Sequence, residues 1–73
     1  MQISEVNYYE IIAHNIKILR KNKKLSQEQF AESIDCSREY ISRLENNKEK
    51  ISLSLLLKIA KIYDLPPENF FKY

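Results

Sequence analysis

Leu25–Asn46, LSQEQFAESIDCSREYISRLEN, carries two helix-start signals eleven residues apart, at Ser26 and Ser37, with only Asp35 and Cys36 left to bridge the helices they open. Ser26 and Gln29 stand at the spacing where a hydroxyl and a side-chain amide cap each other's backbone, and Leu25 and Phe30 flank them as an apolar staple. Ser37 repeats the device with Cys36 and Ile41 as flankers. Two short helices on so tight a turn point to a helix-turn-helix over residues 26–46, the unit that sets a helix into a DNA groove.

On either side of this stretch the same five-residue step between apolar partners recurs at Val6 and Ile11, Ile51 and Leu56, and Leu65 and Phe70. Each pair sits astride a residue suited to open a helix: Asn7, Ser52, or the Pro66–Pro67 pair. Asn7 also has Glu10 at the box position. Five repeats predict five helices, over about 8–23, 27–34, 38–46, 53–63 and 67–71, and no strand.

Seventy-three residues make one domain, of a size that buries only ~60% of its unfolded surface and so needs most of its large apolar side chains inside. Little is left for a deep active site. One cysteine rules out an internal disulfide, and no charged start with a following apolar run marks a leader, so a cytoplasmic, nucleoid-associated protein is expected. The longest apolar patch, Leu55–Ala60, is broken by Lys58 and falls far short of the ~20 residues that span a bilayer. There is no glycine, no low-complexity tract and no composition break, so the chain reads as one unit with loose tails at 1–6 and 72–73.

The net charge of +2 is less informative than its distribution. Residues 1–24 carry five basic and two acidic side chains, 25–46 carry two and five, and 47–73 carry five and three. The helix-turn-helix itself is acidic, so DNA contact has to use selected faces rather than bulk charge. On a helix beginning at Arg38, Tyr40, Ile41 and Leu44 fall on one side; Arg38, Glu39, Ser42, Arg43 and Asn46 fall on the other. The first side is core. The second places long hydrogen-bonding side chains at the first two positions and one turn later, where a helix entering the major groove tip-first meets base edges. Arg38 and Arg43 suit guanine, and Glu39 can accept from cytosine. The plainer alternative is a solvated helix face.

With these residues the chain resembles the phage repressor and Cro-like helix-turn-helix family, also called XRE, along nearly all its length. IAHNIKILRKNKKLSQEQFAESI looks like the family's first two helices, SREYISRLENNK like its recognition helix and loop, and SLSLLLKIAKIYDL like its fourth helix. The resemblance implies an all-α, compact five-helix domain of lambda-repressor type with the helix-turn-helix at helices 2 and 3. It also implies a small residue at Ala31 where those helices cross, burial of Ile41 and Leu44, and a structural ion pair between Arg20 and Glu45. The family's base-reading positions then fall on Arg38, Glu39 and Arg43, with Ser37 and Ser42 close by, so that Ser42 joins the base-contacting set, and its phosphate contacts fall on Gln27, Asn46 and Lys48; Ser26, Ser37 and Tyr40 stand beside them as phosphate-contacting candidates. The family usually has glycine where this chain has Asp35, Asn47 and Asp64, each a helix-ending position. Asn and Asp best tolerate the left-handed backbone such ends need. Ile51 replaces a common proline and gains a packing role.

Other residues invite chemistry and have plainer readings. Cys36 fits as a small apolar residue in the turn, because a nucleophile needs a base and an activating environment. His14 reads as surface. Glu28 and Glu32 lie one turn apart, yet no further ligand stands at metal spacing, so they read as a solvated face. Lys21, Lys23 and Lys24 offset the dipole at the end of helix 1 and can also reach phosphate. Tyr40 can pack its ring and offer its hydroxyl. Without a phosphate-cradling glycine loop or a catalytic constellation, no enzyme, cofactor, metal or small-molecule ligand is expected.

One reading helix discriminates poorly against genomic competitors, so a homodimer on a pseudo-palindrome is expected. Apolar residues beyond the needs of a small core are Leu55, Ile62, Phe71 and Tyr73, with Ile11 and Ile18 on a second side. The alternative function is a protein-interaction module on the same scaffold, an antitoxin or regulator partner that binds through this C-terminal surface.

Overall fold

The computed structural model describes residues 7–72. Among them are four α-helices, α1 (Tyr8–Asn22), α2 (Gln27–Ser33), α3 (Arg38–Glu45) and α4 (Leu53–Ile62), followed by a 3-10 helix at Pro67–Phe71, and no strand.

Each α-helix opens on a polar cap. The backbone N–H groups of Glu10, Gln29, Tyr40 and Leu55 donate to the side chains of Asn7, Ser26, Ser37 and Ser52 at 3.0–3.3 Å. Only Ser26 completes a reciprocal box, its own N–H donating to Gln29 Oε1 at 2.9 Å, because Gln29 has an acceptor that reaches back. Leu55 at the matching position has none, Tyr40 carries its hydroxyl at the far end of a ring that packs on the core, and at Asn7 the bond runs one way, from the Glu10 N–H to the Asn7 side chain.

The helix ends are equally uniform. In each, one N–H reaches back five residues and its neighbour three, closing a Schellman turn: Leu25 to Arg20 and Lys24 to Lys21, Cys36 to Ala31 and Asp35 to Glu32, Lys48 to Arg43 and Asn47 to Leu44, Leu65 to Ala60 and Asp64 to Lys61. The turn needs one left-handed residue. Asp35, Asn47 and Asp64 supply it with φ of 58°, 60° and 55°, and Lys24 does so at the end of α1 with φ of 58°. Each α-helix stops one residue short of its sequence-predicted end because that residue is the cap preceding this turn.

The fifth predicted helix is corrected to a 3-10 turn. Pro66 and Pro67 bring no N–H, and five residues are too few for an α ladder, so Asn69 N–H closes on the Pro66 carbonyl at 3.0 Å. Asn15 holds this end to α1, its Nδ2 donating at 2.8 Å to the carbonyls of both Phe70 and Lys72. Lys72, expected in a tail, is therefore tied by its backbone. Val6, the tail 1–6 and Tyr73 lie outside the described residues.

The apolar stripes meet in one core: Ile12, Ile16 and Leu19 from α1, Phe30 and Ala31 from α2, Ile41 and Leu44 from α3, Leu56, Ile59 and Ala60 from α4, with Ile34 and Ile51 from the connections and Phe70 from the 3-10 helix. Of the other staple partners, Leu25, Cys36 and Leu65 pack against it, while Ile11 is half-buried outside the cluster. Phe30 stacks on Tyr63 with ring centroids 5.5 Å apart. No polar residue is buried as a whole among the described residues, and the polar side chain held furthest from water, that of Glu45, meets its hydrogen-bond partners there. No helix among them is long and apolar enough to cross a membrane.

Candidate nucleic-acid interface

α3 divides as its sequence dictates. Ile41 and Leu44 are wholly buried, while Arg38, Glu39 and Arg43 stand exposed on the other side with Ser42 half-buried between. Among the described residues Arg38 and Glu39 make no side-chain hydrogen bond or ion pair, so their polar groups remain available to a partner. Arg43 is engaged: its Nε lies 3.5 Å from Glu49 Oε1 in the loop after α3, and its guanidinium carbon lies 5.9 Å from the Tyr40 ring centroid.

The angle at which α3 is presented depends on a polar clamp behind it. Arg20 Nε donates to Glu45 Oε2 at 2.7 Å and Nη2 to Oε1 at 3.0 Å, while Nη1 donates to the Leu25 carbonyl at 2.8 Å. The side chains are 12% and 2% exposed, so a two-point charged pair in low dielectric joins the end of α1 to the end of α3. Gln27 Nε2 adds a third donor to the same carboxylate at 3.1 Å, which ties the start of α2 to it and leaves one amide hydrogen for an outside acceptor.

The other phosphate candidates are similarly part-committed. Ser26 and Ser37 accept backbone N–H groups on their hydroxyl oxygens, and each keeps its hydroxyl hydrogen to donate. Asn46 Nδ2 donates to the Ser42 carbonyl at 2.9 Å, with its second hydrogen remaining. Tyr40 packs its ring against the core, and burial raises its pKa above the ordinary value, with repulsion from Cys36 and Glu49 adding and Arg43 opposing. Its hydroxyl stays protonated at neutral pH and can donate. Lys48 is exposed, as are Lys21, Lys23 and Lys24 at the end of α1.

Cys36 is half-buried in the turn; burial raises its pKa, Lys58 lowers it and Asp35 raises it, for a net upward shift that keeps it a thiol. His14, Glu28 and Glu32 are exposed, and no cluster of metal-ligating side chains exists among the described residues. Away from α3, Leu53 is 68% exposed and Leu57, Ile62 and Phe71 also reach solvent, whereas Leu55 is half-buried against the core. Leu53 and Leu57 were not legible as exposed because α4 is apolar on nearly every side. Ile18 is exposed and Ile11 half-buried. Sequence reasoning also missed Glu49, which stands six residues from Arg43 across a loop.

Residues 16–70 match a family model described as helix-turn-helix. The chain belongs to the helix-turn-helix family. Its members of this XRE type are transcriptional regulators and not enzymes. This helix-turn-helix chain is 40% identical over 52 residues to control protein C.SmaI of Serratia marcescens, a match covering 71% of the chain and 62% of that relative. It is 50% identical over 48 residues to control protein C.MunI of a Mycoplasma species, covering 64% and 65%. The chain thus spans somewhat under two thirds of these relatives. The crystal structure of the restriction-modification controller protein C.AhdI from Aeromonas hydrophila superposes with a TM-score of 0.77 at 30% identity, covering 86% of this chain and 96% of that one.

Proposed function

We propose that the protein is a sequence-specific DNA-binding transcriptional regulator that acts as a homodimer on a pseudo-palindromic operator. The observation that carries this reading is the presented face of α3: exposed Arg38, Glu39 and Arg43 on a helix that buries Ile41 and Leu44 on its other side and whose far end is locked by Arg20 and Glu45. A rigid helix with long donors and acceptors along one exposed face suits base edges in the major groove, and Ser42 adds a short donor. Ser26, Gln27, Ser37, Tyr40, Asn46 and Lys48 each have a hydrogen to give to phosphate, which fixes register without reading sequence. Two copies would set their recognition helices ~34 Å apart on successive major grooves. The names of the control proteins it is similar to fit a role at a promoter, where occupancy blocks polymerase or recruits it.

A second reading keeps some support from the exposed Leu53, Leu57, Ile62 and Phe71: a module that binds a protein partner through its apolar surface. The two readings differ in what Arg43 does. Arg43→Ala should cost about 1 to 3 kcal/mol of discrimination at one base pair, while Lys48→Ala should weaken binding to every sequence and flatten its salt dependence. Equilibrium titration of selected and scrambled duplexes at two salt concentrations checks both, and equal losses on every duplex for both variants would remove the base-reading assignment.

A further inference from the structure

Arg43 is tied to the loop after α3 through both its backbone and its side chain. Its carbonyl accepts the Lys48 N–H at 2.8 Å in the Schellman turn that Asn47 makes possible with φ of 60°. The turn carries the next residue, Glu49, back beside the helix, where its Oε1 lies 3.5 Å from Arg43 Nε, with side chains 31% and 50% exposed. Lys50, the adjacent cation, makes no ion pair with this carboxylate among the described residues; its Nζ lies 5.5 Å from the centroid of the Tyr9 ring. The Tyr40 ring, 5.9 Å from the Arg43 guanidinium carbon, gives the guanidinium a second neighbour.

We propose that Glu49 is a specificity-determining residue whose carboxylate braces Arg43 so that the arginine meets a base edge end-on and is withheld from phosphate. The proposal rests on Arg43 reading a base. With Nε–H directed to Glu49, the hydrogens on the two Nη atoms remain, and a guanine offers O6 and N7 to such a pair. An unbraced arginine on a flexible stem also finds phosphate oxygens, which bind it on any sequence. A carboxylate beside it repels those phosphates, so the brace lowers affinity for all DNA while sharpening preference for one base pair. So exposed a pair adds little to folding, and its effect belongs to recognition.

The test uses the duplex recovered by selection from a random library, its single-base-pair variants and a scrambled duplex, each titrated with the wild-type protein, Glu49→Gln, Glu49→Asp, Arg43→Ala and the Arg43→Ala, Glu49→Gln double variant. Glu49→Gln should lower discrimination at the base pair sensed by Arg43→Ala by about threefold and tighten binding to the scrambled duplex. Glu49→Asp keeps the charge but falls short of Nε, so it should lower discrimination without tightening scrambled binding. In the Arg43→Ala background, Glu49→Gln should change nothing at that base pair. Unchanged discrimination in both Glu49 variants, with loss in Arg43→Ala, overturns the brace and leaves base reading intact. No loss in Arg43→Ala, or no sequence recovered, removes base reading and the brace together. Circular dichroism of each variant verifies that the helices are kept.

Discussion

Glu45 holds its carboxylate almost out of water, and it is stable there because Arg20 and Gln27 direct three N–H groups at it. Removing one member of such a set leaves the other charge stranded. Glu45→Ala should therefore cost about 3 kcal/mol in urea unfolding, and replacing Arg20 and Glu45 together by apolar residues should cost less. A loss below about 0.5 kcal/mol in the single variant would show that the clamp contributes nothing. The pair spans twenty-five positions, and no local pattern joins them; it was legible only through the chain's resemblance to a known family. Glu49 beside Arg43 was not legible at all, because their approach depends on the left-handed turn at Asn47, and side-chain spacing along the sequence does not report a loop's path. The division of α3 into buried and exposed faces, by contrast, comes from a period of 3.6 applied to eight residues.

At the scale of elements, helix starts were more legible than helix ends. Asn7, Ser26, Ser37 and Ser52 open helices because each side chain can satisfy an N–H that the helix leaves unpaired, a property carried by the residue itself. A helix end depends on the backbone of the next two residues and on where their side chains pack. Asp35, Asn47 and Asp64 signal a left-handed turn by type, but Lys24 does not; it is held at φ of 58° by the Leu25 N–H closing on the Arg20 carbonyl and by Leu25 packing against the core. Lysine gains nothing from that conformation, so Lys24→Gly should stabilise the protein by about 1 kcal/mol, seen as a rise of roughly 4 to 8 °C in thermal midpoint. Asn47→Gly should gain less, since asparagine tolerates the turn already. A lower midpoint for Lys24→Gly would show that its side chain contributes more than its backbone costs. The 3-10 character of Pro67–Phe71 escaped the sequence because a staple and a proline pair mark where a turn begins, not how tightly it winds.

For the whole molecule, one small core leaves apolar side chains at the surface of α4 and of the C-terminal turn. On the dimer reading, Ile62→Glu and Phe71→Glu should give folded protein that sediments as a monomer and binds a selected operator more weakly and without cooperativity, while the wild type sediments at twice the chain mass. Wild-type protein that stays monomeric at micromolar concentration and on operator DNA would contradict the dimer. The all-helical class was legible from the five repeated staples and the residues that open helices between them, whereas the partner surface was not: α4 is apolar over most of its circumference, and the staple that marks Leu56 as packed says nothing of Leu53 and Leu57, which are exposed.

Whether the exposed face of α3 reads DNA sequence is decided by selection of bound fragments from a random DNA library at near-physiological salt, with Arg38→Ala, Arg43→Ala double-variant protein run alongside. The wild type should enrich a pseudo-palindrome, and the variant should lose that enrichment. Equal enrichment by both, or none from soluble folded protein, would contradict sequence reading by α3.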